Sequence, residues 1–115
     1  MQITIYHNPQ CSNSRGALAI LQGAGHAPCV VEYLKTPPTR EEIAGLVARM
    51  GVGVRDVVRT KEPLFAELGL DRPDTGDAAL LDALAAHPVL LNRPIVVTPK
   101  GAKLCRPPEL VQELL

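Results

Sequence analysis

The spacing of apolar and polar positions divides the chain into three stretches. The first opens on Ile3-Thr4-Ile5-Tyr6, a short apolar, β-branched run with the pattern of a buried strand. The polar stretch His7-Asn8-Pro9-Gln10-Cys11-Ser12-Asn13-Ser14-Arg15 follows directly. Gly16 to Leu21 is then rich in helix formers, with Ala17, Ile20, Leu21 and Ala24 on one face. Gly23, Gly25 and His26-Ala27-Pro28 mark a turn, and Cys29 to Leu34 reads as a second strand. Strand, helix, strand is a βαβ unit, whose crossover is right-handed.

The second stretch, residues 36 to 88, reads as an all-helical insertion. Lys35-Thr36-Pro37-Pro38 breaks regular structure. Thr39-Arg40-Glu41-Glu42 has the form of a capping box, and Ile43, Leu46, Val47 and Met50 follow at helical spacing before Gly51 closes the helix. Val54 to Arg59 and Pro63 to Leu68 read as short helices, and Asp71 to Gly76 as a polar loop. Asp77 to Ala86 reads as a helix stopped by His87-Pro88. In the third stretch Val89-Leu90-Leu91 fits a helix end or a strand. Ile95 to Thr98 is a strand, Pro99-Lys100-Gly101 a tight turn, and Lys103 to Cys105 a second strand, together a hairpin. Pro107-Pro108 opens a final helix over Glu109 to Leu115. The order β-α-β, helical block, β-β-α predicts a single α/β domain with a mixed sheet of about four strands.

Composition narrows the function without naming it. The 115 residues suffice for one ordinary core, and the 46% apolar content is that of a folded chain. Twelve basic and twelve acidic residues balance, and only two Tyr and one Phe are present, so neither a basic patch nor a stacking surface points to nucleic acid. No leader pattern precedes the first strand, and no run is long enough to span a membrane. Three cysteines, Cys11, Cys29 and Cys105, form no disulfide framework and no zinc spacing, which fits a reducing, cytoplasmic setting. Cys29, on or beside a strand, reads as a small core residue.

The chemistry concentrates at Cys11. It sits where a strand gives way to a helix, and the open N–H groups and positive dipole end of the first turn favour a thiolate and can hold an oxyanion. Cys11-Ser12-Asn13-Ser14 has the spacing of a Cys-x-x-Cys redox motif with Ser second, so a resolving thiol must come from elsewhere. Ser14 is either a donor to the thiolate or oxyanion, or a plain first-turn residue. His7, near Cys11 in sequence, would favour the thiolate as a cation, or is an ordinary loop histidine. Arg15 is an anion ligand or a solvated side chain. Arg59, Arg93 and Arg106 stand at element ends that converge on one rim of such a domain, where guanidinium groups can bind a tetrahedral oxyanion. Pro94, just before a core strand, is a candidate cis peptide.

These segments together resemble the glutaredoxin-linked arsenate reductases of the ArsC family. The matching stretches are Ile3 to Pro9 with Cys11 and Ser14-Arg15, Tyr33-Leu34 with Thr36-Pro37-Pro38, Glu67-Leu68-Gly69-Leu70, Asn92 to Pro99, and Leu104 to Pro107. The resemblance implies a thioredoxin-like fold with a helical insertion. It makes Cys11 the nucleophile toward arsenate, Arg59, Arg93 and Arg106 the oxyanion-binding arginines, His7 the residue that lowers the thiol pKa, and Pro94 the cis-proline. Glutathione is the implied co-substrate and glutaredoxin the partner, with no bound cofactor and no metal. If Arg93 or Arg106 acts mainly on the oxyanion, replacing it leaves the thiol's reaction with a neutral alkylating agent nearly unchanged; if both reactions slow in parallel, the arginine tunes the thiolate instead. Ser12-Asn13 stands where the best-studied arsenate reductases have Gly-Thr, and Thr60-Lys61-Glu62 is similar to a related branch. Two alternatives belong to the same superfamily: a monothiol oxidoreductase without arsenate activity, and an Spx-like regulator that binds RNA polymerase. The Spx proteins usually carry Cys-x-x-Cys, which Ser14 interrupts here.

Overall fold

The structure, a computed structural model, describes all 115 residues and resolves into two compact units, Met1–Thr36 with Arg93–Leu115, and Pro37–Asn92. In the first unit, β1 (Thr4–His7), α1 (Ser12–Gly23) and β2 (Cys29–Glu32) are joined by β3 (Ile95–Thr98) and β4 (Gly101–Leu104). The four strands form one mixed sheet in the order β2-β1-β3-β4. β1 runs parallel to β2, with Ile5 opposite Val30, and antiparallel to β3, with Ile5 opposite Val96. β3 and β4 are the expected hairpin, pairing Thr98 with Gly101 across Pro99-Lys100. Gly101 has φ +146°, a conformation that L side chains rarely adopt, so glycine belongs there.

The pleat sends Ile3 and Ile5 to the face covered by α1. There they meet Ala17, Leu21, Val96 and Cys105, together with Val111 and Leu114 of a C-terminal 3-10 helix, Pro108–Leu114. Sequence spacing predicts an α-helix at that place; the chain instead takes the tighter turn while still turning Val111 and Leu114 inward. Thr98 Oγ1 donates to the Leu114 carbonyl at 2.8 Å and ties the hairpin to this helix. β2 ends at Glu32, two residues short of the expected strand. As β2 is an edge strand, Cys29 at its start is exposed, and its assignment to the core is corrected.

The second unit holds α2 (Arg40–Met50), α3 (Pro63–Glu67) and α4 (Asp77–Ala86), with 3-10 turns at Val54–Val57 and Pro88–Leu90. The capping box of α2 forms as its residues dictate. Thr39 Oγ1 accepts the Glu42 N–H at 3.1 Å and Glu42 Oε1 accepts the Thr39 N–H at 3.3 Å, while Gly51 ends the helix in the left-handed region. Ile43, Leu46 and Val47 of α2 and Leu80 and Leu84 of α4 are buried where these helices pack together. Leu91 takes both roles its sequence allows: it follows the 3-10 turn and makes an isolated antiparallel bridge with Val58.

Candidate active site

The loop between β1 and α1 delivers Cys11. The Asn8 carbonyl accepts the Cys11 N–H at 3.0 Å, closing a four-residue turn with Pro9 at its second position, where a fixed φ suits the turn. The Asn8 side chain repeats the tie: Oδ1 accepts the Gln10 N–H at 2.9 Å. The Asn8 N–H donates to Ser14 Oγ at 3.0 Å, and Arg15 Nη1 donates to the Pro9 carbonyl at 2.9 Å. Cys11 thereby becomes the N-cap of α1, with extended backbone and no acidic residue in the turn that follows.

Cys11 is only 8% exposed, and burial alone pushes its pKa up. The outcome is nonetheless a lowered pKa, because the backbone N–H groups of Ser14 and Asn13 and the Arg93 guanidinium favour the thiolate. Cys11 makes no regular cap hydrogen bond, so the attraction of the helix N–H groups is electrostatic and grows when sulfur ionises. Arg106 Nη1 donates to Cys11 Sγ at 3.6 Å and to the Arg93 carbonyl at 2.9 Å.

Strand register explains how residues so far apart in sequence meet. Tyr6 near the end of β1 is opposite Ile95 at the start of β3, which is opposite Leu104 at the end of β4. Arg93 precedes β3 and Arg106 follows β4, so both emerge on the rim where β1 hands over to Cys11. The Arg93–Pro94 and Arg106–Pro107 peptide bonds are both cis. Arg106 thus contacts the sulfur itself and Arg93 favours its ionised form, an arrangement in which the arginines can tune the thiolate as well as bind an oxyanion.

His7 is buried, and Nδ1 lies 2.7 Å from Ser14 Oγ. Its pKa is lowered, chiefly by burial and further by the Arg15 charge, against an opposing pull from Glu32. The shift works against a cationic imidazole, and the reading of His7 as a nearby cation is corrected: a charged ring is costly to bury there. Its contact with the site runs through Ser14, which is fully buried between Asn8 and His7. Arg15 acts in this structure as a fastener of the loop. Arg59 lies in the second unit, where its N–H donates to the Leu90 carbonyl at 2.7 Å and its Nε lies 3.5 Å from Glu62 Oε2.

Cys105 differs from Cys11. Cys105 is fully buried, and burial pushes its pKa up to about 12, so Arg106 next to it in sequence does not make it a second thiolate. All three cysteines are free. No group of three His, Cys, Asp or Glu side chains is placed to hold a metal ion. Sequence reasoning gave Asn8 no role, although Asn-Pro is a turn-initiating pair, and it did not foresee the cis bond before Pro107.

The ArsC family profile matches residues 6–114. The arsenate reductase of Rhizobium meliloti strain 1021 is 52% identical over 115 residues, covering 100% of this chain and 82% of that protein. The arsenate reductase of Escherichia coli K12 is 49% identical over 113 residues, covering 98% of this chain and 80% of that one. Among solved structures, an arsenate reductase from Vibrio cholerae superposes with a TM-score of 0.97 at 47% identity, covering 100% of this chain and 98% of the other. The mixed four-stranded sheet is the thioredoxin-like arrangement of these relatives. With its sheet, its Cys11 helix start and its full-length similarity all in agreement, the chain belongs to the ArsC family.

Proposed function

We propose that the protein is an arsenate reductase that draws its electrons from glutathione and glutaredoxin. The observation that carries the reading is the placing of one thiol: Cys11 at the start of α1, with the Arg106 guanidinium 3.6 Å from its sulfur and Arg93 favouring its ionised form. The names of relatives near half identity support the same substrate. Arsenate is an anion at neutral pH, so an approaching thiolate meets charge repulsion. Arg93, Arg106 and the first-turn N–H groups offset that repulsion, and Arg59 is assigned to the same oxyanion on the resemblance of its segment. The Cys11 sulfur forms a bond to arsenic as one oxygen leaves, protonated, as water. The thiolate of glutathione then attacks the Cys11 sulfur. The sulfur–arsenic bond breaks, its electron pair stays with arsenic, and arsenite departs. The remaining Cys11–glutathione disulfide is reduced by glutaredoxin, a division that suits a motif whose second position is Ser14. Three free cysteines and the need for a glutathione pool support a cytoplasmic setting for this activity.

The test is an arsenate-dependent assay with purified protein, glutathione and glutaredoxin, following oxidised glutathione through a coupled reductase. Turnover is expected to require all components and to vanish in Cys11→Ser. Reduction of a glutathionylated peptide with no response to arsenate would replace this reading with the monothiol oxidoreductase.

A further inference from the structure

We propose that Asn8 is a positioning residue for the nucleophile, its side chain setting where the Cys11 sulfur lies between the α1 N-terminus and Arg106. The resemblance assigns Asn8 no task, yet every polar group that it has shown in use is directed at the loop that carries Cys11. Its carbonyl holds the Cys11 N–H, its N–H holds Ser14 Oγ, and its Oδ1 holds the Gln10 N–H. The first two bonds belong to any residue with this backbone. The third belongs to the side chain, and it fixes the turn that the other two need.

Asn8 is only 7% exposed, while Gln10 is exposed and its bond to Oδ1 half-buried, so water replaces Oδ1 only in part once it is lost. The Gln10 N–H would then lack its partner, and Gln10 is the residue before Cys11. A turn relaxed at that point moves the N-cap. The two influences that lower the Cys11 pKa against burial, the first-turn N–H groups and the guanidinium contact at 3.6 Å, both fall off with distance. Arg15 holds the same turn from outside through the Pro9 carbonyl. Because Arg15 is exposed while Asn8 is buried, Asn8 is the tie that water competes with least.

The experiment measures the rate at which Cys11 reacts with iodoacetamide across pH, with the modified residue identified by mass spectrometry and thermal unfolding followed in parallel. Asn8→Ala is expected to move the midpoint of the profile upward and to slow alkylation at neutral pH by about 3–10-fold, as the thiolate fraction falls. Thr39→Ala, which weakens α2 far along the chain, is expected to lower the unfolding temperature without moving the profile. If Asn8→Ala lowers the unfolding temperature and leaves the profile in place, Asn8 is merely structural and the proposal is overturned. Should Asn8→Ala fail to fold, Asn8→Ser, whose hydroxyl accepts the Gln10 N–H more weakly, is expected to give a smaller shift in the same direction; no shift overturns the proposal equally. The importance of Asn8 to catalysis rests on the arsenate reading, but alkylation needs no arsenate. A wild-type protein inert to arsenate would therefore sink the function while leaving the positioning role to be decided by the profile.

Discussion

At the scale of single residues, the site works by setting charge against burial. Cys11 is nearly covered, which disfavours a thiolate, and is surrounded by donors that favour it more strongly. Arg93→Ala removes a half-buried guanidinium that acts on the sulfur and, in the proposed reaction, on the oxyanion. It is expected to cost arsenate turnover about 1.5–3 kcal/mol in transition-state stabilisation, the range for hydrogen bonds to charged groups. Alkylation of Cys11 by a neutral reagent at neutral pH is expected to slow as well. Kinetics of both reactions on one preparation check this; a loss confined to arsenate would mean that Arg93 scarcely acts on the thiol. His7 gives a separate prediction. Its pKa is lowered in the fold, so the unfolded chain takes up a proton first as pH falls. The stability it contributes is complete above the ordinary imidazole range and declines as acid titrates the unfolded chain and then the fold. His7→Asn, which offers an amide near the Nδ1 position, is expected to flatten the dependence of unfolding free energy on pH just below that range. Denaturant titrations at a series of pH values would show it, and an unchanged slope would contradict it.

At the scale of elements, Gly16 matters for what it leaves out. A Cβ there would lie 3.0 Å from Pro108 Cγ and 3.2 Å from its Cβ, so α1 and the C-terminal 3-10 helix approach each other across a missing side chain. Alanine improves helix propensity by about 0.5–1 kcal/mol. The proline ring is tied into its own backbone and yields little, so Gly16→Ala is expected to destabilise by about 1–3 kcal/mol as an overpacked contact. Chemical denaturation measures it, and a stabilised variant would show that the two helices part easily. Gly16 reads in the sequence as an ordinary member of a helical stretch, since nothing local announces a partner 92 positions away, at Pro108. Elements whose signals are local were legible: the α2 capping box, the Gly51 stop, the hairpin across Pro99-Lys100, and Cys11 at a strand-to-helix junction. What failed depended on tertiary placement. Cys29 has the pattern of a core residue, but strand order puts β2 at the edge. His7 can be charged in an open loop and not in the buried place beside Ser14.

At the scale of the molecule, Cys105 reports on the integrity of the core it shares with Ile5, Leu21 and Val96. Its pKa is raised to about 12, so the unfolded chain loses this proton before the folded one does. The stability tied to Cys105 is complete below the ordinary thiol range and is lost as pH rises toward the folded value, by up to about 4 kcal/mol at the top of that window. Cys105→Ala is expected to lose less stability than the wild type between pH 9 and pH 11, the readout being the difference between the two slopes, to which the other titrating groups contribute equally. Parallel slopes would mean that Cys105 titrates in the fold as it does outside. The contact from Arg106 to Cys11 spans 95 positions, and Arg93 also comes from the far part of the chain. During synthesis the nucleophile is therefore made early and its activating charges late. Until β3 and β4 have joined β1, Cys11 has only the first-turn N–H groups to favour its ionised form and lacks both guanidinium groups. Reactivity at one atom thus becomes a clock for the completion of the sheet. The moment at which Cys11 alkylation speeds up during refolding dates the joining of β3 and β4 to β1, without a spectroscopic label.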